Sequence, residues 1–146
     1  MESTDFKVEI SKEFNVGVKT IYEAWTEPKQ LKSWWKPMNK KLIDVVNDVT
    51  EGGQVKYVFD DNTLIIEGKY TEVKKLEKLV YTWNWKLPND EIKDSSYQLS
   101  VAFSGNDSTS AIHILQENFT NEEGTLPHRE GWVKGLNDLE KHFDKL

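Results

Sequence analysis

The amino-acid sequence predicts an α+β domain, in which one curved antiparallel sheet of about six to seven strands packs against a long C-terminal helix. Three observations lead to this fold class. Alternating apolar residues fill most of the region 41–119, apolar residues at helical spacing occupy the end of the chain, and two short helical segments follow the first strand. Because 146 residues is a usual length for one domain, we expect a single domain over 1–146.

The first strand is predicted at residues 5–14, where apolar and polar residues alternate. Apolar spacings of three and four residues from Val18 then predict a short helix that ends near Thr26, because the residue before a proline avoids helical backbone. Pro28 begins a second short helix, which Pro37 ends.

Turn signals divide the central region into further strands. They are predicted near residues 42–46, 55–59, 63–75, 79–85, 97–103 and 112–119. Because short turns join most of them and only residues 86–95 form a longer loop, we expect an antiparallel meander. Gly68 interrupts the strand at 63–75, where it leaves a side-chain gap beside the aromatic rings or allows a bend.

Large aromatic rings concentrate on one face of this sheet. On the strand near 79–85, the residues Leu79, Tyr81, Trp83 and Trp85 alternate with residues that point the other way. Rings of this size line either a packed core or a cavity between the sheet and the helix that covers it.

The last segment has apolar residues at i, i+4, i+7 and i+11, which predicts a long amphipathic helix. Its apolar stripe consists of Trp132, Leu136, Leu139 and Phe143, with Val133 and Leu146 alongside. Thr125 is the expected N-cap, and Glu130 precedes Lys134 by the spacing that favours an ion pair.

Composition limits the classes of function. A net charge of −6 and a pI of 5.1 argue against nucleic acid and against an anionic membrane surface as partners. The chain has no cysteine, and therefore no disulfide and no thiolate metal site. It has no uncharged run of about 18 residues and no signal-peptide pattern at its start, so we expect a cytoplasmic protein that does not span a membrane.

Five short motifs, in order, resemble those of one family. They are Trp25–Pro28 with Leu31, Trp34, Trp35 and Pro37; the hairpin Asp48–Phe59; the strand segments Gly68–Val73 and Leu79–Trp83; and Gly131–Leu139 in the last helix. Together they resemble the activator of heat-shock ATPase homologue-like branch of the START-related (SRPBCC) superfamily. The resemblance implies a helix-grip fold with a cavity. It implies no single reaction, because the group includes ligand carriers, cyclase-like enzymes and a co-chaperone.

The sequence contains no recognisable catalytic or metal-binding constellation. His113 is expected on the solvent face of the last strand, His142 on the polar flank of the last helix, and His128 in a capping role where that helix begins. No helical zinc pair, nucleophile elbow or phosphate-binding loop is found. We therefore expect no catalytic residue, no metal and no cofactor.

Two amides break the apolar pattern of the last strand. Gln116 and Asn118 follow Ile112 and Ile114 at even spacing, so both are expected to face the interior. A buried amide needs hydrogen-bond partners, which either the protein or the polar group of a ligand supplies.

The sequence thus predicts a protein that binds a small, largely hydrophobic molecule between sheet and helix without covalent chemistry, and it favours binding over catalysis. The candidate ligand-binding residues are Tyr70, Trp83, Trp85, Tyr97, Gln116, Trp132 and Leu136. The resemblance leaves two alternatives open. One is a chaperone-associated protein-binding module, although the co-chaperones are longer and have a further domain; the other is a cyclase or dehydratase acting on an aromatic substrate. We expect a monomer or a homodimer.

Overall fold

The computed structural model describes residues 6–36, 40–60, 64–86, 96–119, 122–123 and 125–144, with residues 85, 86 and 96 described by their backbone only. In chain order the elements are β1 (Phe6–Phe14), α1 (Val18–Thr26), α2 (Pro28–Trp34), β2 (Leu42–Asn47), β3 (Gln54–Phe59), β4 (Leu64–Lys74), β5 (Lys78–Lys86), β6 (Ser96–Gly105), β7 (Ser110–Phe119) and α3 (Thr125–Phe143). Leu146 and most of the predicted loop at 86–95 lie outside the described residues.

The strands form one seven-stranded antiparallel sheet in the order β1-β7-β6-β5-β4-β3-β2. The predicted meander is confirmed from β2 to β7, and β1 pairs with β7 so that Ile10 lies opposite Ile114. α3 contacts β1 and α2, while α1 contacts β6 and β7. The predicted α+β fold is confirmed, with two short helices after the first strand and a long C-terminal helix.

Strand alternation directs the large apolar side chains to the face that the helices cover. The buried residues of this inner face include Val55, Tyr57 and Phe59 on β3, Leu64, Ile66 and Tyr70 on β4, Leu79, Tyr81 and Trp83 on β5, and Tyr97, Leu99, Val101 and Phe103 on β6. The helices contribute Ile21, Tyr22 and Trp25 from α1, Leu31 and Trp34 from α2, and Trp132, Leu136 and Leu139 from α3. The core between the layers is therefore unusually rich in aromatic rings.

The two short helices meet at Glu27. Its extended backbone, with φ −82° and ψ 125°, is the geometry favoured before proline, and Pro28 then occupies the first helical position of α2. The indole N–H of Trp34 donates to the carbonyl oxygen of Ala24 over 2.9 Å. This hydrogen bond folds α2 back against α1 and turns its tryptophan into the core.

Gly68 does not leave a gap beside the aromatic rings, as one reading of the sequence expected. A Cβ atom at this position would lie 1.8 Å from the backbone oxygen of Thr82 on β5. The Thr82 hydroxyl accepts a hydrogen bond from the Lys69 amide over 2.8 Å. Glycine is required here because the backbones of β4 and β5 approach too closely for any side chain.

The prediction of inward-facing amides is correct for Gln116 and wrong for Asn118. Gln116 is fully buried, whereas Asn118 is exposed. Asn118 has a φ of 78°, and the register of β1 on β7 shifts between Phe6 and Val8, as in a β-bulge. The extra residue reverses the alternation, so Phe119 turns inward in place of Asn118.

The apolar stripe of α3 is confirmed by the burial of Trp132, Leu136 and Leu139. Val133, which the sequence placed beside this stripe, is instead 42% exposed. Its position is one residue past Trp132, which rotates it away from the sheet.

The polar contacts of α3 differ from those predicted. Thr125 is the first residue of the helix, and its hydroxyl donates to the carbonyl oxygen of Glu122 over 2.6 Å instead of capping the helix. Lys134 forms an ion pair with Asp138, one turn further along, with 2.7 Å between Nζ and Oδ2; the predicted partner was Glu130.

Candidate functional site

A cluster of tryptophans lies between the sheet and the three helices. Trp25 of α1 stacks on Trp132 of α3, with ring centroids 5.9 Å apart and planes inclined by 19°. Trp132 in turn contacts Trp83 of β5 at 5.9 Å, and Trp83 contacts Trp35 at 5.7 Å. Rings from every layer of the fold therefore meet at one point.

A small space lies at the centre of this cluster. It is lined by Trp25, Leu31, Trp34, Trp35, Tyr57, Tyr81, Trp83 and Trp132. Its volume is about 10 Å³, which is close to the room that one water molecule needs. Among the residues that the structure describes, side chains thus fill nearly all of the space that these rings enclose.

Three of the cluster's indole N–H groups have acceptors. Trp25 donates to the hydroxyl of Tyr81 over 3.1 Å, and Trp34 donates to a backbone carbonyl of α1. Trp132 donates to Oε1 of Gln116 over 2.8 Å. Of the remaining two lining indoles, Trp35 and Trp83, Nε1 of Trp83 is buried and has no acceptor among the described residues. An unpaired buried donor is uncommon and costs stability, so Trp83 is the chemically exceptional residue of the cluster.

The tyrosine hydroxyls of the cluster are uncharged donors. Burial raises the pKa of Tyr57 and of Tyr81 well above the usual range for phenols. Both hydroxyls therefore keep their protons at any physiological pH, and neither provides a base at neutral pH.

Tyr70 lies behind Tyr81, with their ring centroids 4.7 Å apart. Its hydroxyl donates to Oδ1 of Asn47 over 2.5 Å, and Nδ2 of Asn47 donates to the carbonyl oxygen of Thr26 over 2.7 Å. This chain of bonds ties β4 to β2 and to the end of α1. Burial also raises the Tyr70 pKa.

Gln116 connects the tryptophan cluster to His128. Because Trp132 donates to Oε1 of the amide, the Nε2 group of Gln116 points to Nδ1 of His128 at 3.3 Å. An amide nitrogen only donates, so Nδ1 must accept and the histidine carries its proton on Nε2. Burial lowers the His128 pKa to about 4, which keeps the ring neutral at pH 7.

A second aromatic group lies at the start of α3. Tyr97 contacts Phe119 at 4.6 Å and His128 at 5.0 Å between ring centroids, and Phe119 contacts His128 at 5.2 Å. The β-bulge in β7 makes this group possible, because it turns Phe119 inward.

The structure brings together some of the predicted site residues. Trp83 and Trp132 line the central space, and Gln116 reaches it through Trp132. Tyr70 is one ring removed from that space, and Tyr97 belongs to the group around His128. Leu136 is buried on the inner stripe of α3 but does not line the space. The side chain of Trp85 lies outside the described residues.

Besides Trp35, four lining aromatics were given no site role from the sequence: Trp25, Trp34, Tyr57 and Tyr81. For the two tyrosines the signal was present, since Tyr81 shares a strand face with Trp83 and Tyr57 holds an inward position on the neighbouring hairpin. Trp35 was also missed. It follows the last residue of α2, where helical periodicity no longer indicates the direction of a side chain.

A comparison with protein families decides the family of this fold. The family model described as activator of Hsp90 ATPase homolog 1-like protein matches residues 15–144. The chain belongs to this family. It is therefore a member of the activator branch of the START-related superfamily, as its motifs suggested, and its fold is the helix-grip that the resemblance implied.

Solved structures are similar to this family member at low sequence identity. A protein from Arthrobacter aurescens is 18% identical with a TM-score of 0.80, covering 97% of this chain and 87% of that one. Ms6760 from Mycobacterium smegmatis is 18% identical with a TM-score of 0.78, covering 93% and 89%. DynU16, a protein of the dynemicin biosynthetic locus, is 15% identical with a TM-score of 0.77; the match covers 96% of this chain and 48% of DynU16.

The chain thus spans about half the length of DynU16. At these identities the likeness establishes the helix-grip fold alone. No curated protein matches the chain at a significant level.

The remaining histidines of this family member lie away from the central space. On the outer face of the sheet, Nε2 of His113 donates to Oε2 of Glu9 over 2.8 Å, and Nδ1 accepts from the Ser11 hydroxyl over 2.5 Å. His142 donates to the Gln30 amide oxygen over 3.3 Å and so links α3 to α2. The solvent-facing prediction for His113 is confirmed, since its side chain is 45% exposed.

The exposed face of α3 borders an open groove of about 540 Å³. Its lining includes Arg129, Glu130, Val133, Lys134, Asn137, Asp138 and Lys141. The charged side chains of both signs make this groove unlike the aromatic interior.

In the described ranges, no helix of this family member is both long and apolar enough to cross a membrane, and no three His, Asp or Glu residues converge as metal ligands.

Proposed function

We propose that this protein binds a small, largely hydrophobic molecule between the inner face of the sheet and α3, without covalent chemistry. The observation that carries the proposal is the ring-lined space at the centre of the fold, whose described lining is apolar except for indole and phenol groups. Binding sites for small molecules are mostly apolar with a few polar anchors, and the interior has this composition. A ligand enters by displacing rings, since the space holds no more than about one water molecule when the rings are closed.

In this proposal the ligand lies between Trp83 on the sheet and Trp132 on α3. Gln116 lies behind Trp132 and accepts its indole hydrogen bond. We assign supporting roles to the other sequence-predicted residues Tyr70, Trp85, Tyr97 and Leu136. Tyr70 and Tyr97 support the inner wall from neighbouring strands, and Leu136 fixes the height of α3 above the sheet. We further propose that the protein acts in the cytoplasm, which a chain without cysteine permits.

The protonation states of the side chains in and around the space favour binding over catalysis. The described lining of the space contains no carboxylate and no imidazole, and His128, which Gln116 connects to the lining residue Trp132, already accepts a hydrogen bond at Nδ1 from Gln116. A cyclase or dehydratase needs a group that exchanges a proton near neutral pH. The buried phenols Tyr57 and Tyr81 do not meet this need, because their pKa values are raised.

The test uses an uncharged apolar fluorescent probe, N-phenyl-1-naphthylamine, with the native protein labelled with ¹⁵N. We expect one probe per chain, together with shifts of the indole N–H signals of Trp83 and Trp132, assigned by single Trp→Phe variants. Binding of one probe per chain beside these two indoles distinguishes a defined pocket from nonspecific binding to the surface. Absence of binding to the folded protein, or binding that leaves both indole signals unmoved, contradicts the proposal.

Native mass spectrometry of the freshly purified protein gives a second test. A bound small molecule released intact on denaturation supports the proposal. A molecule that is chemically converted during incubation with the protein favours the cyclase alternative, and a co-purifying chaperone with an unoccupied interior favours the protein-binding alternative.

A further inference from the structure

The unpaired indole N–H of Trp83 indicates that the interior lacks a hydrogen-bond acceptor at this position. Trp83 is 2% exposed, and its Nε1–H has no acceptor among the described residues. Its indole lines the central space, where a ligand entering between the sheet and α3 would lie. A molecule that supplies an acceptor to this N–H removes a desolvation cost that the unliganded protein carries.

The lining as a whole has an excess of donors. Its five indoles and two phenols contribute N–H and O–H groups, whereas the only side-chain acceptor atoms in this described lining are the hydroxyl oxygens of Tyr57 and Tyr81. The Tyr81 oxygen already accepts from Trp25. The interior can therefore satisfy additional acceptor atoms more readily than additional donors.

Water does not meet this need well. A buried water molecule usually makes about three hydrogen bonds and must donate two of its own protons. The described lining has few atoms to receive them. A carbonyl oxygen, in contrast, accepts hydrogen bonds and brings no proton that requires a partner.

Trp35 marks where the body of such a molecule fits. Its ring lies 4.9 Å from Tyr57, 5.4 Å from Phe59 and 5.7 Å from Trp83, measured between centroids. Unlike Trp25, Trp34 and Trp132, it makes no side-chain hydrogen bond to a described residue. It also follows a helix of only seven residues. Trp35 and Trp83 are thus the two indoles of the described lining without a side-chain hydrogen bond, and of these two only Trp35 lies outside a helix or strand.

We propose, resting on the function proposed above, that the interior binds a flat, uncharged aromatic molecule with a carbonyl-type acceptor, which accepts from Nε1–H of Trp83 while its ring replaces that of Trp35. The requirement for an uncharged molecule follows from the lining, because its described residues carry no formal charge that could compensate a buried ion.

The test compares two probes of nearly equal shape, 2-acetylnaphthalene and 2-isopropenylnaphthalene, which differ in a carbonyl oxygen against a methylene group. We expect the ketone to bind the native protein roughly 3–10-fold more tightly, as one net hydrogen bond would give. Trp83→Phe removes the donor and keeps an aromatic ring, so the two dissociation constants should become equal. Trp34→Phe is the matched control: it removes the same atoms from the same lining, but its N–H is already bonded to Ala24, so the preference for the ketone should persist.

Indole N–H signals in ¹⁵N spectra provide an independent reading on the unmodified protein. The ketone should move the Trp83 signal downfield, and the hydrocarbon should not. If both probes bind the native protein equally and the Trp83 signal does not respond, the assignment of an acceptor ligand is wrong while the general binding function stands. If neither probe binds, the proposed function itself fails. Because both readings use the native protein, an unfolded Trp83→Phe variant would leave the proposal testable.

Discussion

Trp132 on α3 and Gln116 on β7 are joined by a buried hydrogen bond, 2.8 Å from the indole Nε1 to the amide Oε1. This bond orients the amide, and the oriented amide sets the tautomer of His128. One contact thereby joins the long helix to the sheet and sets which ring nitrogen of His128 carries the proton.

Replacing Gln116 with leucine should destabilise the protein by about 1–3 kcal/mol. The variant is nearly isosteric, but it leaves the N–H of Trp132 without its acceptor inside the core. Gln98→Leu is the control, because Gln98 is exposed on the outer face of β6 and bonds only weakly to Glu117 at 3.4 Å. Urea denaturation of both variants provides the comparison, and equal midpoints would show that the buried bond contributes nothing net.

Stability should fall as the pH decreases from about 6.5 towards 4. The His128 pKa is near 4 in the folded protein and near 6.5 when unfolded, so over this interval the unfolded chain binds a proton that the folded chain excludes. The full loss is up to about 3 kcal/mol, and the contribution is constant above pH 6.5.

His128→Gln should remove most of this pH dependence, because glutamine does not titrate. His128→Asn, which likewise does not titrate, is the second variant and should remove the same part of the pH dependence. Denaturation midpoints between pH 4 and pH 7 test the prediction. A His128→Gln protein with the slope of the parent would assign the pH dependence to other groups.

Leu139→Ala should cost about 2–5 kcal/mol of unfolding free energy, since Leu139 is fully buried against the sheet. Lys141→Ala, two residues further along on the exposed face, should change the stability very little. Thermal and urea denaturation measure the stability of both variants. Equal effects would mean that α3 presents a different face to the sheet.

Gly68→Ala should destabilise the protein, because the new methyl group would lie 1.8 Å from the Thr82 backbone oxygen. Gly131→Ala is the opposite case: the added Cβ atom meets nothing within 4 Å on an exposed turn of α3, and alanine favours helix by about 1 kcal/mol. The pair should therefore shift the denaturation midpoint in opposite directions. A neutral Gly68→Ala would indicate that β4 and β5 separate easily at this point.

Trp35→Ala should destabilise the protein by about 3–5 kcal/mol and at the same time tighten the binding of 2-acetylnaphthalene. The first effect follows from the lost contacts with Tyr57, Phe59 and Trp83. The second follows because the probe no longer has to displace a ring. Trp35→Phe should give intermediate values of both quantities, measured by calorimetry on folded samples. Weaker binding by a folded Trp35→Ala protein would place the ligand elsewhere.

The fold was predictable because most elements have a simple periodicity. Alternation along β3 to β6 and the i, i+4, i+7 stripe of α3 depend on local geometry that the sequence displays directly. Gln116 was recognisable as an inward amide for the same reason. Asn118 was not, because a bulge changes the alternation and its positive φ leaves no mark in a single sequence.

The interior of the site was harder to predict than its boundary. That Trp83 and Trp132 meet follows from strand parity and helix phase, but whether their N–H groups find acceptors depends on rotamers and on neighbours distant in sequence. Trp35 illustrates the limit, since its direction is set by the turn after α2 and by packing on the sheet. The role of Gly68 depended on the spacing of two backbones, which composition does not encode.

The almost filled interior has a consequence for the heat of binding. A ligand that enters a preformed dry cavity buries its whole apolar surface, and the heat capacity falls accordingly. Here an entering ring must expose another ring to solvent, so the net change in hydrated apolar area is small. Calorimetry over a range of temperatures should therefore record a binding enthalpy that varies little with temperature, and the unliganded protein, whose described rings leave only a small space between them, should need no ligand in order to fold.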